Sequence, residues 1–179
     1  MAEREYDVVV FGATGFTGAL TAEYLAAASG AGRWAIAGRS RAKLDAVRER
    51  LAGDVPTIVA DTGDPMSVRA MAESTKVLIT TVGPYINYGE PVVAACAAAG
   101  THYVDLTGEP EFVDLMWLRH HQQAQRTGAK LVHSCGFDSI PYDLGAFYSV
   151  GQLPEHEPIK LEGFVRAGGT FSGGTLHSA

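Results

Sequence analysis

The chain has 179 residues, a formal net charge of −6 and a hydrophobic fraction of 46%, values typical of one globular domain with a buried core. This acidic balance, without any cluster of Lys and Arg residues, argues against nucleic acid as a partner. Because the sequence has neither an apolar run of about eighteen residues nor the apolar centre of a signal peptide, we expect a cytoplasmic protein without a transmembrane segment.

Strand-like and helix-like segments alternate along most of the chain. Apolar runs typical of buried parallel strands occupy 7–11, 34–37, 57–60, 77–82, 103–106 and 131–134. Helical patterns lie between them, over 17–28, 43–51, 65–74, 91–99 and 110–127. This alternation predicts an α/β fold of the Rossmann type, a doubly wound parallel sheet with right-handed crossovers.

A glycine-rich segment between the first strand and the first helix is the most informative part of the sequence. Its glycines would permit a tight turn, let the backbone approach a pyrophosphate and let the helix pack on the strand. The free N–H groups at the helix start would bind the anion. A purely structural turn is the alternative. We predict a dinucleotide-binding loop formed by Gly12, Thr14, Gly15, Phe16, Thr17 and Gly18.

The end of the second strand indicates which dinucleotide is bound. NAD-specific sites have an Asp or Glu there for the ribose 2′-hydroxyl, whereas this chain has Gly-Arg-Ser at 38–40. Arg39 can bind a 2′-phosphate, Ser40 can donate a hydroxyl hydrogen bond to it, and Lys43 adds positive charge. We therefore expect NADP(H) rather than NAD(H). Asp61 could accept a hydrogen bond from the adenine amino group, or it could cap the turn before the next helix.

The fourth strand ends at the edge where such sheets bind their ligands. Val82, Gly83 and Pro84 are therefore expected to line the cofactor near its nicotinamide. Tyr85 and Tyr88 follow, and either could donate a proton to a substrate, although packing against a helix is the commoner role of a tyrosine. No tyrosine is followed four residues later by a lysine, so the Tyr-x-x-x-Lys pair of short-chain dehydrogenases is absent.

Glu109, Cys135 and Asp138 follow the fifth and sixth strands and fall on the same edge. Cys135 could be a nucleophile that forms a thioester, but an inert thiol is the simpler interpretation because no histidine can be placed beside it. Asp138 and Ser139 are expected to cap the helix that Pro141 opens. No histidine or cysteine spacing indicates a metal site.

The pattern changes after this turn. A helix and a linker are expected over 142–150 and 151–154, followed by a strand over 159–166. That strand has no partner in the chain, so we predict that it is disordered or pairs with a neighbouring molecule. We divide the chain into a dinucleotide-binding domain, 1–150, and the beginning of a second α/β domain, 155–179. The chain is expected to be the N-terminal part of a longer protein.

Several segments together resemble the saccharopine dehydrogenase-like oxidoreductases: 12–18, 38–40, 82–85, 88–93, 103–109 and 136–141. The resemblance covers nearly the whole chain and is strongest to the mycobacterial branch of trans-acting enoyl reductases, which act with polyketide synthases in making complex lipids. It implies an NADP-binding Rossmann domain followed by a substrate and dimerisation domain. Most of that second domain is expected to lie beyond this chain, so we expect no catalysis by this chain alone.

Three functions are compatible with these features. The first is an NADPH-dependent reductase of an enoyl thioester or another small molecule, with a polyketide synthase as partner and a homodimer formed through the second domain. Hydride would add to the β-carbon, and Tyr85 or Tyr88 would supply the α-proton. The second is a non-catalytic NADP sensor or scaffold. The third is semialdehyde dehydrogenase chemistry at Cys135.

Overall fold

The computed structural model describes residues 3–28, 32–51, 53–166 and 168. In these residues the chain forms six strands, β1 (Tyr6–Phe11), β2 (Trp34–Gly38), β3 (Thr57–Val59), β4 (Thr75–Thr80), β5 (His102–Asp105) and β6 (Leu131–Val132). They alternate with helices α1 (Phe16–Ala27), α2 (Arg41–Arg48), α3 (Pro65–Ser74), α4 (Tyr85–Tyr88), α5 (Glu90–Ala99), α6 (Pro110–Thr127) and α7 (Ile140–Val150). No helix within the described ranges is long and apolar enough to cross a membrane.

The strands form one sheet in the order β3-β2-β1-β4-β5-β6, and every neighbouring pair is parallel. β1 is central: Val9 pairs with Ala35 of β2 on one side and with Leu78 of β4 on the other. The strand order reverses between β1 and β4, and α/β sheets bind ligands outside the carboxyl ends of the strands at such a point. The predicted doubly wound parallel fold is confirmed.

Helices cover both faces of the sheet because successive strand residues point to opposite sides. Val9 lies in a core cluster with residues of α3, α5 and α6, whereas Val10 lies in a second cluster with residues of α1 and α2. Both valines are fully buried. Burying each such side chain stabilises the fold by about 1.5–3 kcal/mol, which explains why the strands are apolar on both faces.

The helix ends follow local chemistry that the sequence contains. The Ser40 hydroxyl caps α2 by accepting a hydrogen bond from the Lys43 N–H, so the helix begins two residues earlier than its apolar pattern suggests. The Asp64 carboxylate caps α3. Gly100 and Gly128 end α5 and α6 in the left-handed conformation, with φ of 74° and 80°.

The expected strand over 159–166 does not form. Residues 158–166 lie in neither a helix nor a strand and are exposed, because a lone strand without a partner leaves its backbone groups unpaired. β6 is also shorter than predicted, since Ser134 adopts a left-handed φ of 57° that takes the chain out of the sheet. The remainder of the predicted second domain, 167 and 169–179, lies outside the described residues.

Candidate nucleotide-binding site

A cleft of about 270 Å³ opens at the carboxyl edge of the sheet, where the strand order reverses. Most of the residues that the sequence predicts to bind the cofactor lie at this cleft. Those that line the cleft are Gly12, Thr14, Gly15, Arg39, Asp61, Val82 and Gly83. Lining residues that the sequence analysis did not single out are Phe11, Gly38, Ala60, Thr62 and Thr81. These sit at or next to the strand ends, which is the signal that could have identified them.

The glycine loop has the shape that a pyrophosphate requires. Gly12 has φ of +92°, and a Cβ on it would lie 2.6 Å from the Thr81 hydroxyl oxygen. A Cβ on Gly18 would collide with the Gly12 carbonyl group and lie 2.7 Å from the Thr81 hydroxyl oxygen. Both positions therefore exclude a side chain, because the loop packs directly against the end of β4.

The first turn of α1 has no side-chain cap. Its N-cap, Gly15, has extended backbone and no side chain that could satisfy the first N–H groups of the helix. Phe16 and Thr17 stand in this first turn, where Phe16 is exposed and Thr17 is partly exposed. Free N–H groups and the positive end of the helix dipole together favour a phosphate at this point.

The adenosine end of the cleft carries positive charge. Arg39 lines the cleft directly after β2. Ser40 and Lys43 lie just outside it on the α2 side, where the Ser40 oxygen is engaged as the helix cap. Arg41 donates a 2.6 Å hydrogen bond to the Thr57 hydroxyl. Arg39 is therefore the residue best placed to bind a 2′-phosphate.

Asp61 holds a turn at the cleft. One carboxylate oxygen accepts a hydrogen bond of 2.9 Å from the Gly63 N–H and so holds the turn after β3. The same residue lines the cleft. The helix that follows is capped by Asp64 instead, through a 3.1 Å hydrogen bond from the Met66 N–H.

The nicotinamide end is shaped by the turn after β4. Val82 and Gly83 line the cleft there, and Pro84 follows them as the N-cap of α4, after a cis peptide bond. Glu109 holds this turn from across the site: its carboxylate oxygens accept hydrogen bonds of 2.9 Å and 2.7 Å from the N–H groups of Tyr85 and Ile86. The sequence placed Glu109 on the correct edge but did not predict this contact, which joins residues 24 positions apart.

The two nominated tyrosines lie in different environments. Tyr85 is buried, its ring packs against Phe112, and its hydroxyl donates a 3.1 Å hydrogen bond to the Thr80 carbonyl oxygen. Burial, reinforced by the charge of Asp105, raises its pKa. Tyr85 therefore anchors the turn, which corrects the expectation that either tyrosine could reach a substrate. Tyr88 is half exposed and lines the cleft.

Asp105 and His133 form a pair that the sequence analysis missed. The His133 Nδ1 lies 2.6 Å from an Asp105 carboxylate oxygen, and the Asp105 side chain is completely buried. The signal that could have found them is the strand register. Val104 pairs with Val132, so the residue after each, at the carboxyl end of its strand, must lie beside the other.

Cys135 lacks the features of a nucleophile. Burial, together with the charge of Asp105, raises the pKa of its thiol, which disfavours the reactive thiolate. The His133 ring nitrogen bonds to Asp105, and the Cys135 thiol contacts the main-chain oxygens of Val132 and His133 at 3.7 Å. Ser139 occupies the N-cap position of α7 but makes no side-chain capping bond, so that expectation is wrong.

A glycine-rich turn at a helix N-terminus, opening into a cleft at the switch point of a parallel sheet, defines a dinucleotide-binding Rossmann domain. The chain belongs to the saccharopine dehydrogenase NADP-binding domain family, whose model matches residues 8–132. Its cofactor is NADP(H). The glycine loop packs against the end of β4, the start of α1 has no side-chain cap, and Arg39 lines the same cleft, so the residues fit this group.

Curated relatives carry oxidoreductase names. A trans-acting enoyl reductase from Mycobacterium bovis is 52% identical over 149 residues, which are 82% of this chain and 36% of that protein. A protein of the same name from Mycobacterium leprae is 51% identical over 148 residues, 81% of this chain and 35% of that protein. The chain thus spans less than half the length of these relatives.

Solved structures share the fold. A saccharopine dehydrogenase (L-Glu forming) from Saccharomyces cerevisiae superposes with a TM-score of 0.65 at 17% identity, over 82% of this chain and 31% of that one. A triphenylmethane reductase from Citrobacter sp., solved with NADP(H), has a TM-score of 0.55 at 20% identity, over 71% of this chain and 48% of that one. At such identities the likeness shows the fold alone.

Proposed function

We propose that the chain is the cofactor-binding part of an NADPH-dependent reductase that acts on an enoyl thioester in the assembly of complex lipids. The observation that carries this proposal is the cleft itself, which combines the side-chain-free glycine cradle with Arg39 at the adenosine end. The substrate class comes from the relatives at 51–52% identity that are named trans-acting enoyl reductases.

Different residues of the chain bind different parts of the cofactor. The first turn of α1 binds the pyrophosphate, Arg39 binds the 2′-phosphate, and Val82 and Gly83 leave room beside β4 for the nicotinamide. The bound cofactor supplies a hydride to the β-carbon of the enoyl thioester. Of the two tyrosines, Tyr88 has the exposure that contact with a substrate requires.

The partners follow from the same proposal. A trans-acting reductase takes its thioester from a separate protein, and we propose a polyketide synthase as that partner. The second domain would hold the acyl chain and form a homodimer. Sedimentation of this chain beside a version extended to the length of the relatives checks the latter point: only the extended protein should dimerise.

Turnover of a thioester tests the reductase. NADPH absorbance is followed with crotonyl-coenzyme A as the probe, for the wild-type chain and for two matched variants. Arg39→Gln should lower NADPH affinity by roughly 30- to 100-fold, because it removes a charge-assisted contact to the phosphate. Arg48→Gln should leave it unchanged, since Arg48 lies on the α2 surface beside Asp45.

Two outcomes would count against the proposal in different ways. NADPH binding without turnover, in this chain and in the extended protein, would favour the non-catalytic sensor or scaffold. Equal NADPH affinity in the two arginine variants would contradict the assigned phosphate site.

A further inference from the structure

Asp105 and His133 form a polar pair beside the cofactor cleft. Asp105 is the last residue of β5, and His133 directly follows β6. β5 is the neighbour of β4, whose continuation at Val82 and Gly83 lines the cleft. Parallel strands lie about 4.8 Å apart, so His133 stands about 10 Å along the edge from the nicotinamide end. The cleft opens at the β1–β4 part of this edge, and the β5–β6 part lies beside it.

The Asp105 carboxylate is fully engaged and fixes the imidazole. One oxygen accepts hydrogen bonds from the Tyr103 hydroxyl at 2.9 Å and from His133 Nδ1 at 2.6 Å. The other accepts from the N–H groups of Thr107 at 3.1 Å and Ser134 at 2.9 Å. An ionised carboxylate only accepts, so Nδ1 must carry the hydrogen. Nε2 is left as the atom that can gain or release a proton, and it has no hydrogen-bond partner among the described residues.

The surroundings hold the ring in one orientation. Its centroid lies 5.5 Å from that of Tyr103, and 5.5 Å from that of Phe112, which it meets edge-on. Ser134 adopts the left-handed φ of 57°, and its hydroxyl donates a 2.8 Å hydrogen bond to the Thr107 carbonyl oxygen. A non-glycine residue in this conformation at a strand end is held there by these contacts. The His133 side chain keeps 12% of its surface exposed.

We propose that His133, oriented by Asp105, is the proton donor for the substrate that the cofactor reduces. This rests on the reductase proposed above. The substrate receives a hydride with its electron pair at the β-carbon, and the negative charge that develops at the α-carbon takes the proton from Nε2. The N–H bond breaks as the C–H bond forms, the imidazole becomes neutral, and solvent restores its proton.

His133 suits this task better than Tyr88. Tyr88 is 46% exposed at the cleft, where water can reach its hydroxyl. His133 has a buried carboxylate that stabilises its protonated form and sets its tautomer.

Groups from three parts of the chain face the His133 ring. Asp105 and Tyr103 face it from β5, α6 presents the uncharged Phe112, and Cys135 follows on its own loop. Burial raises the pKa of Tyr103 well above its usual value and also raises the pKa of Cys135. The Tyr103 hydroxyl and the Cys135 thiol therefore stay protonated over the pH range in which histidine rings are followed.

The test measures the titration of His133 in the two cofactor complexes of this chain. Nitrogen-15 NMR of the imidazole rings follows each histidine with pH, with saturating NADP⁺ or with saturating NADPH. His133→Gln identifies the resonance, and His121→Gln on the surface of α6 is the matched control. Should His133→Gln fail to fold, single Gln variants of the other histidines assign the resonance by elimination.

The oxidised nicotinamide carries one more positive charge than the reduced one. At about 10 Å this difference should lower the His133 midpoint in the NADP⁺ complex by about 0.3–0.6 pH unit, with hydrogen on Nδ1 and no change at His121. Equal midpoints in the two complexes, or hydrogen on Nε2 in the neutral ring, would overturn the role of His133. Failure of both nucleotides to bind would instead count against the reductase.

Discussion

The two halves of the ligand-binding edge are built in different ways. Over β1 and β4, the site consists of main chain, with glycines where a Cβ would collide and free N–H groups at a helix start. Over β5 and β6, the edge consists of buried polar side chains joined by hydrogen bonds across the loops. The first half can bind a cofactor common to many enzymes, whereas the second depends on the particular residues of this chain.

Replacing Gly18 should have the largest effect, and it should damage the cofactor half. In Gly18→Ala the new Cβ would collide with the Gly12 carbonyl group, so the turn or α1 must move. We expect a loss of about 3 kcal/mol in the free energy of unfolding and a fall in NADPH affinity of more than roughly 100-fold. Urea unfolding and calorimetric titration measure both quantities.

Gly145→Ala is the control for that substitution. Gly145 lies in α7, and a Cβ there would meet nothing within 4 Å. Alanine favours a helix over glycine by about 0.5–1 kcal/mol, so stability should rise slightly and NADPH affinity should not change. Equal losses in the two variants would show that the glycine cradle has no special role.

Asp105→Asn should destabilise the β5–β6 half by about 2–4 kcal/mol. The new amide places an N–H₂ group opposite hydrogen-bond donors that the carboxylate oxygen had accepted from, so those donors lose their acceptor. Water cannot replace it, because the side chain is completely buried. Asp114→Asn, an exposed change on α6, is the matched control. The folded Asp105→Asn protein should keep an NADPH affinity within about threefold of wild type. A much larger loss of affinity would show that the two halves act as a single site.

Tyr85→Phe, at the boundary between the two halves, should have the smallest effect. It removes one hydrogen bond to the Thr80 carbonyl oxygen, which is worth about 1 kcal/mol, and leaves the packing against Phe112 intact. NADPH affinity and any reductase activity should persist, as they should in Tyr148→Phe on the exposed face of α7. If Tyr85→Phe lost turnover but kept its cofactor affinity, and Tyr148→Phe kept both, the result would favour Tyr85 as the proton donor.

The same contrast explains what the sequence could predict. The glycine spacing, the missing acid after β2 and the apolar strand runs are local signals, and the structure confirms the sheet that they predict. The Glu109 contact to the turn of Tyr85 and the contact of Asp105 with His133 join residues 24 and 28 positions apart. They become visible only once the strand register is known. The strand expected over 159–166 does not form, because an apolar run is stable as a strand only when it pairs with a neighbouring strand.

Calorimetric titration of the wild-type chain with NADPH and with NADH tests the central claim most directly. If the cleft binds the pyrophosphate on its glycine cradle and the 2′-phosphate at Arg39, NADPH should bind roughly 30-fold or more tightly than NADH. Arg39→Gln should bring the two affinities together. Equal affinity in the wild-type chain would contradict the phosphate site, and failure of both nucleotides to bind would contradict the account as a whole.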